Sequence, residues 1–238
     1  MRRVLKETWR LGLIEAEEYR RAVDLRPIRG ESLLKGRALE PGEIRGLMEA
    51  CNQDLTAAGV RDAALIAVLY GAGLRRSEIA KLELGDYDAV TGAFKLLNAK
   101  GGKDRISYLG AGAATALADW LQVRGDQAGP LFCPINKGGK LKEIAVGGAA
   151  MTAQAVLNML AKRGKEAKLR HFSPHDLRRT FISDLLDAGA DIATVQKLAG
   201  HSNVQTTARY DRRGEVAKRK AAGLLHVPYQ PRQTLKLK

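Results

Sequence analysis

Residues 171–210, HFSPHDLRRTFISDLLDAGADIATVQKLAGHSNVQTTARY, read as a run of short helices with glycine stops between them. Ser173 followed by Pro174 marks the first start: a hydroxyl caps free N–H groups, and proline is tolerated in the first helical position. The pattern predicts helices over 174–187, 191–199 and 203–211, with Gly189 and Gly200 near their ends. His175 and Arg178 are three residues apart and so share one helix face. A guanidinium fork beside an imidazole is a pairing that suits a phosphate group.

Towards the N-terminus, residues 2–25 alternate charge with Val4, Leu5, Trp9, Leu11 and Tyr19, predicting one or two short amphipathic helices broken near Gly12. Pro27, Gly30, Gly36, Pro41 and Gly42 punctuate residues 26–42 as a linker. Helices are expected over 43–58, 62–70 and 75–82, the second apolar enough to be buried. The period then changes. Segments 82–88, 94–97 and 105–109 have strand composition, and Lys100-Gly101-Gly102-Lys103 suits a tight hairpin. A helix follows at 113–123, then a Gly- and Lys-rich loop over 125–148, then helices at 149–163 and 215–224. The expected fold is mainly α with a small antiparallel sheet, an α+β class.

The 238 residues carry a net charge of +14, which favours a polyanion as partner, with nucleic acid ahead of an anionic membrane surface. No apolar run is long enough to span a bilayer, and the charged first 20 residues do not resemble a secretory signal. Cys51 and Cys133 are too few to staple a chain of this size, and read as buried, reduced thiols of a cytoplasmic protein.

Taken singly, the chemistry-bearing residues are weak signals. His171 and His175 have a metal-ligand spacing, but Pro174 starts the helix after His171 and no acid or thiol completes a shell. The Gly71-x-Gly73 pair lacks the third glycine of a dinucleotide fingerprint, because Arg76 stands there. GGKD at 101–104 and GGKL at 138–141 lack the rest of a phosphate loop. Arg75 after a glycine turn can aim at an anion, yet taken alone a surface arginine paired with Glu78 or Asp86 explains it better. Lys100 reads as a solvated hairpin lysine, Arg178 and Arg179 as a solvated helix face, His201 as a cap, and Tyr210 as a packing residue late in its helix.

Their order changes the reading. GAGLRRSEI (71–79), KGGKDR (100–105), HDLRRTF (175–181) and LAGHSNVQTTARY (198–210) resemble the boxes of the tyrosine recombinase, or phage integrase, family. The resemblance covers roughly residues 40–225. It implies a nucleophilic Tyr210 that forms a covalent phosphotyrosine, with Arg75 and Arg178 clamping the phosphate. By the same resemblance His175 and His201 share hydrogen bonding and proton transfer, and Lys100 protonates the leaving 5′-oxygen. Lys103 competes with Lys100 for that role, while Glu78 and Asp176 position the first arginine and the His-Arg helix. No metal or other cofactor is implied. The implied partner is double-stranded DNA, bound by a homotetramer on two sites, with the isolated chain a monomer.

Family members usually carry a helical core-binding domain ahead of the catalytic one. Residues 1–38 resemble the last helices of such a domain plus a linker, 39–225 the catalytic domain and 226–238 a tail. The expectation is therefore a fragment or truncated gene with weak DNA affinity. A type IB topoisomerase and a non-catalytic DNA-binding remnant are the competing readings. A two-metal transposase ranks last, because the acids are scattered.

Overall fold

The computed structural model describes residues 2–24, 36–99, 103–136, 138–141, 148–226 and 228. The chain divides into two compact units, Met1–Lys35 and Gly36–Lys238. In the first, α1 (Arg2–Arg10) and α2 (Ala16–Val23) are separated at Gly12, where φ is +70°, and Trp9 stacks on Tyr19 with ring centroids 5.1 Å apart.

The second unit starts with α3 (Pro41–Asn52), which has proline in its first turn, and α4 (Ala57–Gly71). The single helix expected over 43–58 is therefore two. Asp54 accepts the Thr56 N–H and O–H at 3.2 and 2.6 Å, and the Thr56 hydroxyl accepts the Ala58 N–H at 3.2 Å. These side chains satisfy the backbone locally and restart the helix, so the chain turns where the apolar pattern alone would continue. Residues 63–69 of α4 are all buried, as an all-round apolar helix requires.

One turn of helix, α5 (Arg76–Ile79), leads to the sheet. The strand expected over 82–88 is mostly a 3-10 turn, Leu84–Asp86, followed by the two-residue β1 (Tyr87–Asp88). The Asp86 carboxylate accepts the Glu83 N–H at 2.9 Å and so curls the backbone there. β2 (Ala93–Ala99) and β3 (Lys103–Tyr108) complete an antiparallel sheet of order β1-β2-β3. Phe94 and Leu96 face inward opposite Ser107 and Arg105. The buried Ser107 hydroxyl donates to the Ala72 carbonyl at 2.7 Å, pinning the sheet to the end of α4.

α6 (Ala111–Arg124) packs along α4 and places Trp120 in the core, its indole N–H donating to the Leu131 carbonyl at 2.9 Å. Within the expected loop 125–148, Leu131, Phe132 and Cys133 are core residues, Phe132 stacking on Trp120 of α6 with ring centroids 6.4 Å apart. α7 (Ala153–Glu166) then holds Arg163, 1% exposed, against Asp62, Asp54 and Glu166 at 2.9, 2.6 and 2.9 Å.

α8 (Pro174–Asp187) joins two apolar clusters. Leu177 belongs to the large core with α4 and α6, while Phe181, Ile182 and Leu186 form a second with Val195, Ala199 and Tyr210. Each such buried side chain contributes roughly 1.5–3 kcal/mol relative to exposure. α9 (Ile192–Ala199), α10 (Val204–Ala208) and α11 (Gly214–Ala222) follow. The helix expected over 203–211 ends earlier, and Tyr210 lies in the turn beyond it, its N–H donating to the Thr207 carbonyl at 2.9 Å. Among the described residues no helix is long and apolar enough to cross a membrane.

Candidate active site

The N-terminal turn of α8 is fixed from several directions. Asp176 accepts the Ser173 N–H and O–H, both at 2.9 Å, and the Arg37 N–H at 2.9 Å. The Thr180 hydroxyl accepts the Leu39 N–H at 2.8 Å one turn later. The serine hydroxyl thus donates to the acid in its first turn, and Asp176 holds the segment that precedes α3 against α8.

On this rigid turn Arg178 is 2% exposed. Its guanidinium donates to the Gly73 carbonyl at 2.5 Å and to the Ala199 carbonyl. Arg75, the residue just before α5, donates to Glu78 at 2.5 Å and to the Gly200 carbonyl at 3.0 Å. Both arginines therefore hang between the turn after α4 and the turn after α9. Those turns need glycine. Gly73 has φ +60° and a Cβ there would lie 2.3 Å from the Phe181 ring; Gly200 has φ +61° and caps α9 in the left-handed region.

A cleft of about 490 Å³ opens beside them, lined by Arg75, Arg76 and Ser77 on one side and Ser173, His175 and Arg178 on the other. Carbonyl oxygens orient Arg178 without neutralising it, whereas Arg75 also pairs with Glu78. Burial, with Arg75 and Arg105 nearby, pulls Arg178 down to about 9, and its guanidinium remains charged at neutral pH. The same field acts on the imidazoles. Packing around His175, together with Arg178, Arg179 and Arg75, lowers its pKa although its side chain is exposed to solvent. Burial and Arg178, Arg75, His175 and Arg105 push His201 down to about 4. Both rings are neutral at pH 7, so each keeps a nitrogen able to accept a proton. The arrangement is cationic, partly dry and short of counter-charge, the conditions under which it takes up an anion.

Tyr210 is 7% exposed and packs in the second cluster. Its ring lies 6.2 Å, centroid to centroid, from that of His201, and the Arg179 guanidinium carbon sits 5.6 Å over its face. His201 Nδ1 is 3.0 Å from the Thr207 hydroxyl, which holds the ring beside the Tyr210 turn. The structure thus brings Arg75, His175 and Arg178 to one cleft, with His201 and Tyr210 as an adjacent pair joined to it through Gly200. Lys100 lies outside the described residues; Lys103 opens β3, paired with Ala99.

Two residues escaped the sequence reading. Arg179, expected on a solvated face, is 7% exposed and covers Tyr210. Arg105 closes the KGGKDR box, yet its inward direction is visible only by counting two back from Ser107 along β3. Its side chain is 8% exposed and grips Glu78 through both nitrogens, at 2.8 and 2.7 Å. Burial would push Glu78 up, but hydrogen bonds from Arg105 and Arg75 hold it down at about 2. Among the described residues no three His, Cys, Asp or Glu side chains cluster as metal ligands.

The phage integrase family model matches residues 37–215, and the chain belongs to that family. The tyrosine recombinase XerC of Corynebacterium efficiens is 34% identical over 208 residues, 85% of this chain and 62% of the relative. XerC of Haemophilus ducreyi is 38% identical over 157 residues, 64% of this chain and 48% of the relative. The chain thus spans roughly half to three fifths of the curated relatives it matches. Among solved structures, the XerA recombinase is similar at TM-score 0.63 and 27% identity, over 89% of this chain and 73% of that one. The XerH recombinase bound to its difH substrate shares the fold at TM-score 0.59 and 23% identity, over 82% and 56%.

Proposed function

We propose that this chain is the catalytic part of a site-specific recombinase that breaks and rejoins double-stranded DNA through a covalent 3′-phosphotyrosine, using neither metal nor ATP. The observation that carries the reading is the convergence of Arg75, His175 and Arg178 on one cationic cleft, with the His201–Tyr210 pair beside it.

A scissile phosphate seated in the cleft meets both guanidinium forks, whose charge stabilises the non-bridging oxygens as the phosphorus becomes five-coordinate. The Tyr210 oxygen bonds to phosphorus while the bond to the 5′-oxygen breaks. The phenolic proton passes to a neutral imidazole, His175 being the one that lines the cleft. The departing 5′-oxygen takes a proton from the hairpin lysine, Lys100, leaving the phosphate on Tyr210 with its ester energy kept for rejoining. Tyr210 is largely covered, so DNA binding must uncover its hydroxyl for attack.

Double-stranded DNA as partner is supported by the net charge of +14 and by neighbours captured on DNA, the XerH recombinase and the Tn1549 integrase. Assembly as a tetramer on two DNA sites completes the reading, since paired strand exchange needs four nucleophiles. The test is incubation with nicked attachment-site DNA, in which the cleaved end diffuses away, followed by a denaturing gel. A covalent protein–DNA band that persists in EDTA is expected. No band, with DNA binding intact, overturns the proposal.

A further inference from the structure

We propose that Arg105 is a positioning residue for strand cleavage, acting through Glu78 on Arg75 and tying the β2–β3 hairpin to the phosphate clamp; this rests on the cleft being the cleavage site. The Glu78 carboxylate takes four hydrogen bonds. One oxygen accepts from the Arg75 and Arg105 guanidinium groups at 2.5 and 2.8 Å, the other from the Arg75 N–H and from Arg105 at 2.7 Å each. The Arg105 Nε–H donates to the Leu198 carbonyl at 3.2 Å.

A single side chain on β3 thereby fixes the start of α5 and the end of α9. Gly200 is cut to fit it: a Cβ there would stand 2.7 Å from Arg105 Cδ. The Gly200 carbonyl is in turn the one that Arg75 holds, and His201 follows directly. Arg105 is also two residues past Lys103 and opposite Leu96, so any shift of β2 and β3 is transmitted to Glu78.

The electrostatics explain why an arginine is needed. Glu78 shared between two guanidinium groups leaves Arg75 with charge to offer a phosphate. Glu78 with Arg75 alone is a closed ion pair, withdrawn from the cleft. Lysine cannot span both carboxylate oxygens and the Leu198 carbonyl together.

The test uses the full chain with single-turnover cleavage of nicked DNA at saturating protein. Variants are Arg105→Lys, Arg105→Met and Arg105→Met combined with Glu78→Gln, with folded fraction read from thermal melts. Arg105→Lys and Arg105→Met are expected to slow cleavage per folded molecule by about 10–100-fold, as displacing a phosphate-binding group by a fraction of an ångström to an ångström does. Adding Glu78→Gln to Arg105→Met should restore part of the rate, because the unshared carboxylate is gone. A scissile methylphosphonate, which carries no charge for Arg75 to balance, should be far less sensitive to the same changes.

Rates per folded molecule equal to wild type, or an equal loss on both substrates without recovery in the double variant, overturn the proposal and assign Arg105 to folding alone. If Arg105→Met does not fold, Arg105→Lys on the two substrates decides between the same outcomes. Wild type forming no adduct overturns the reading of the cleft instead, a result separable from any variant's behaviour.

Discussion

His201 shows how the site sets its own protonation. Burial, and then the charges of Arg178, Arg75, His175 and Arg105 around its ring, push its pKa down to about 4. An NMR titration of the DNA-free chain should show His201 with a midpoint near 4 and His175 below the ordinary histidine value. A His201 midpoint at or above 6.5 would mean that the arginines are not gathered around it. Arg178 is acted on by the same cluster, its pKa lowered first by burial and then by Arg75 and Arg105. Of the residues around the cleft, His175, Arg178, His201, Tyr210 and Arg75 were weak signals singly and were picked out by the order of the boxes that resemble the recombinase family's; the structure brings Arg75, His175 and Arg178 to one cleft. Arg105 and Arg179 were not legible, because a buried arginine and a solvated one look alike until their acid or aromatic partner is known.

At the scale of elements, local chemistry decided where apolar pattern was ambiguous. Ser173-Pro174 and Gly200 fixed the ends of α8 and α9, and both were readable. The break at Asp54-Leu55-Thr56 was missed, because two side chains that terminate a helix sit in a stretch otherwise suited to continue it. The strand expected over 82–88 failed for a related reason, an aspartate that curls the backbone. The burial of residues 131–133 depends on the α6 surface they cover, which no local signal encodes. Asp54 has a further role. With Asp62 it surrounds Arg163, joining α7 to the start of α4 in a nearly dry network. Arg163→Ala leaves Asp62, 2% exposed, with Arg61 as its remaining partner at 2.8 Å. It should lower stability by about 1.5–3 kcal/mol, the loss expected of hydrogen bonds to a charged group, read from denaturant melts. A loss under 1 kcal/mol would mean that the network is not dry.

For the whole molecule these charges set an acid limit. His201 is depressed in the fold, so between its ordinary value and about 4 the unfolded chain binds more protons, and stability falls as pH drops through that window. Glu78 and Asp54 are held at about 2, the latter by Thr56 and Arg163. Their contribution is present above the ordinary carboxylate range and is lost as pH falls from there towards 2. Thermal melts should therefore show stability declining from about pH 6.5 downward and more steeply below about pH 4.5. A melting temperature unchanged between pH 7 and 4 would contradict the burial of His201.

The larger unit is built so that residues standing 105 and 125 positions apart along the chain meet at two glycine turns. Arg75 reaches Gly200, and Arg178 reaches Gly73. The order of the sequence boxes pointed to such a convergence, but the carbonyls that bring it about could be seen only in three dimensions. Protease digestion of the covalent adduct and mass spectrometry of the DNA-linked peptide test the convergence most directly. A 3′-phosphoryl nucleotide on Tyr210, absent from Tyr210→Phe although that variant still binds DNA, is the expected result. Linkage to any other residue, or through a 5′-phosphate, would contradict the assignment of Tyr210 as the nucleophile of this site.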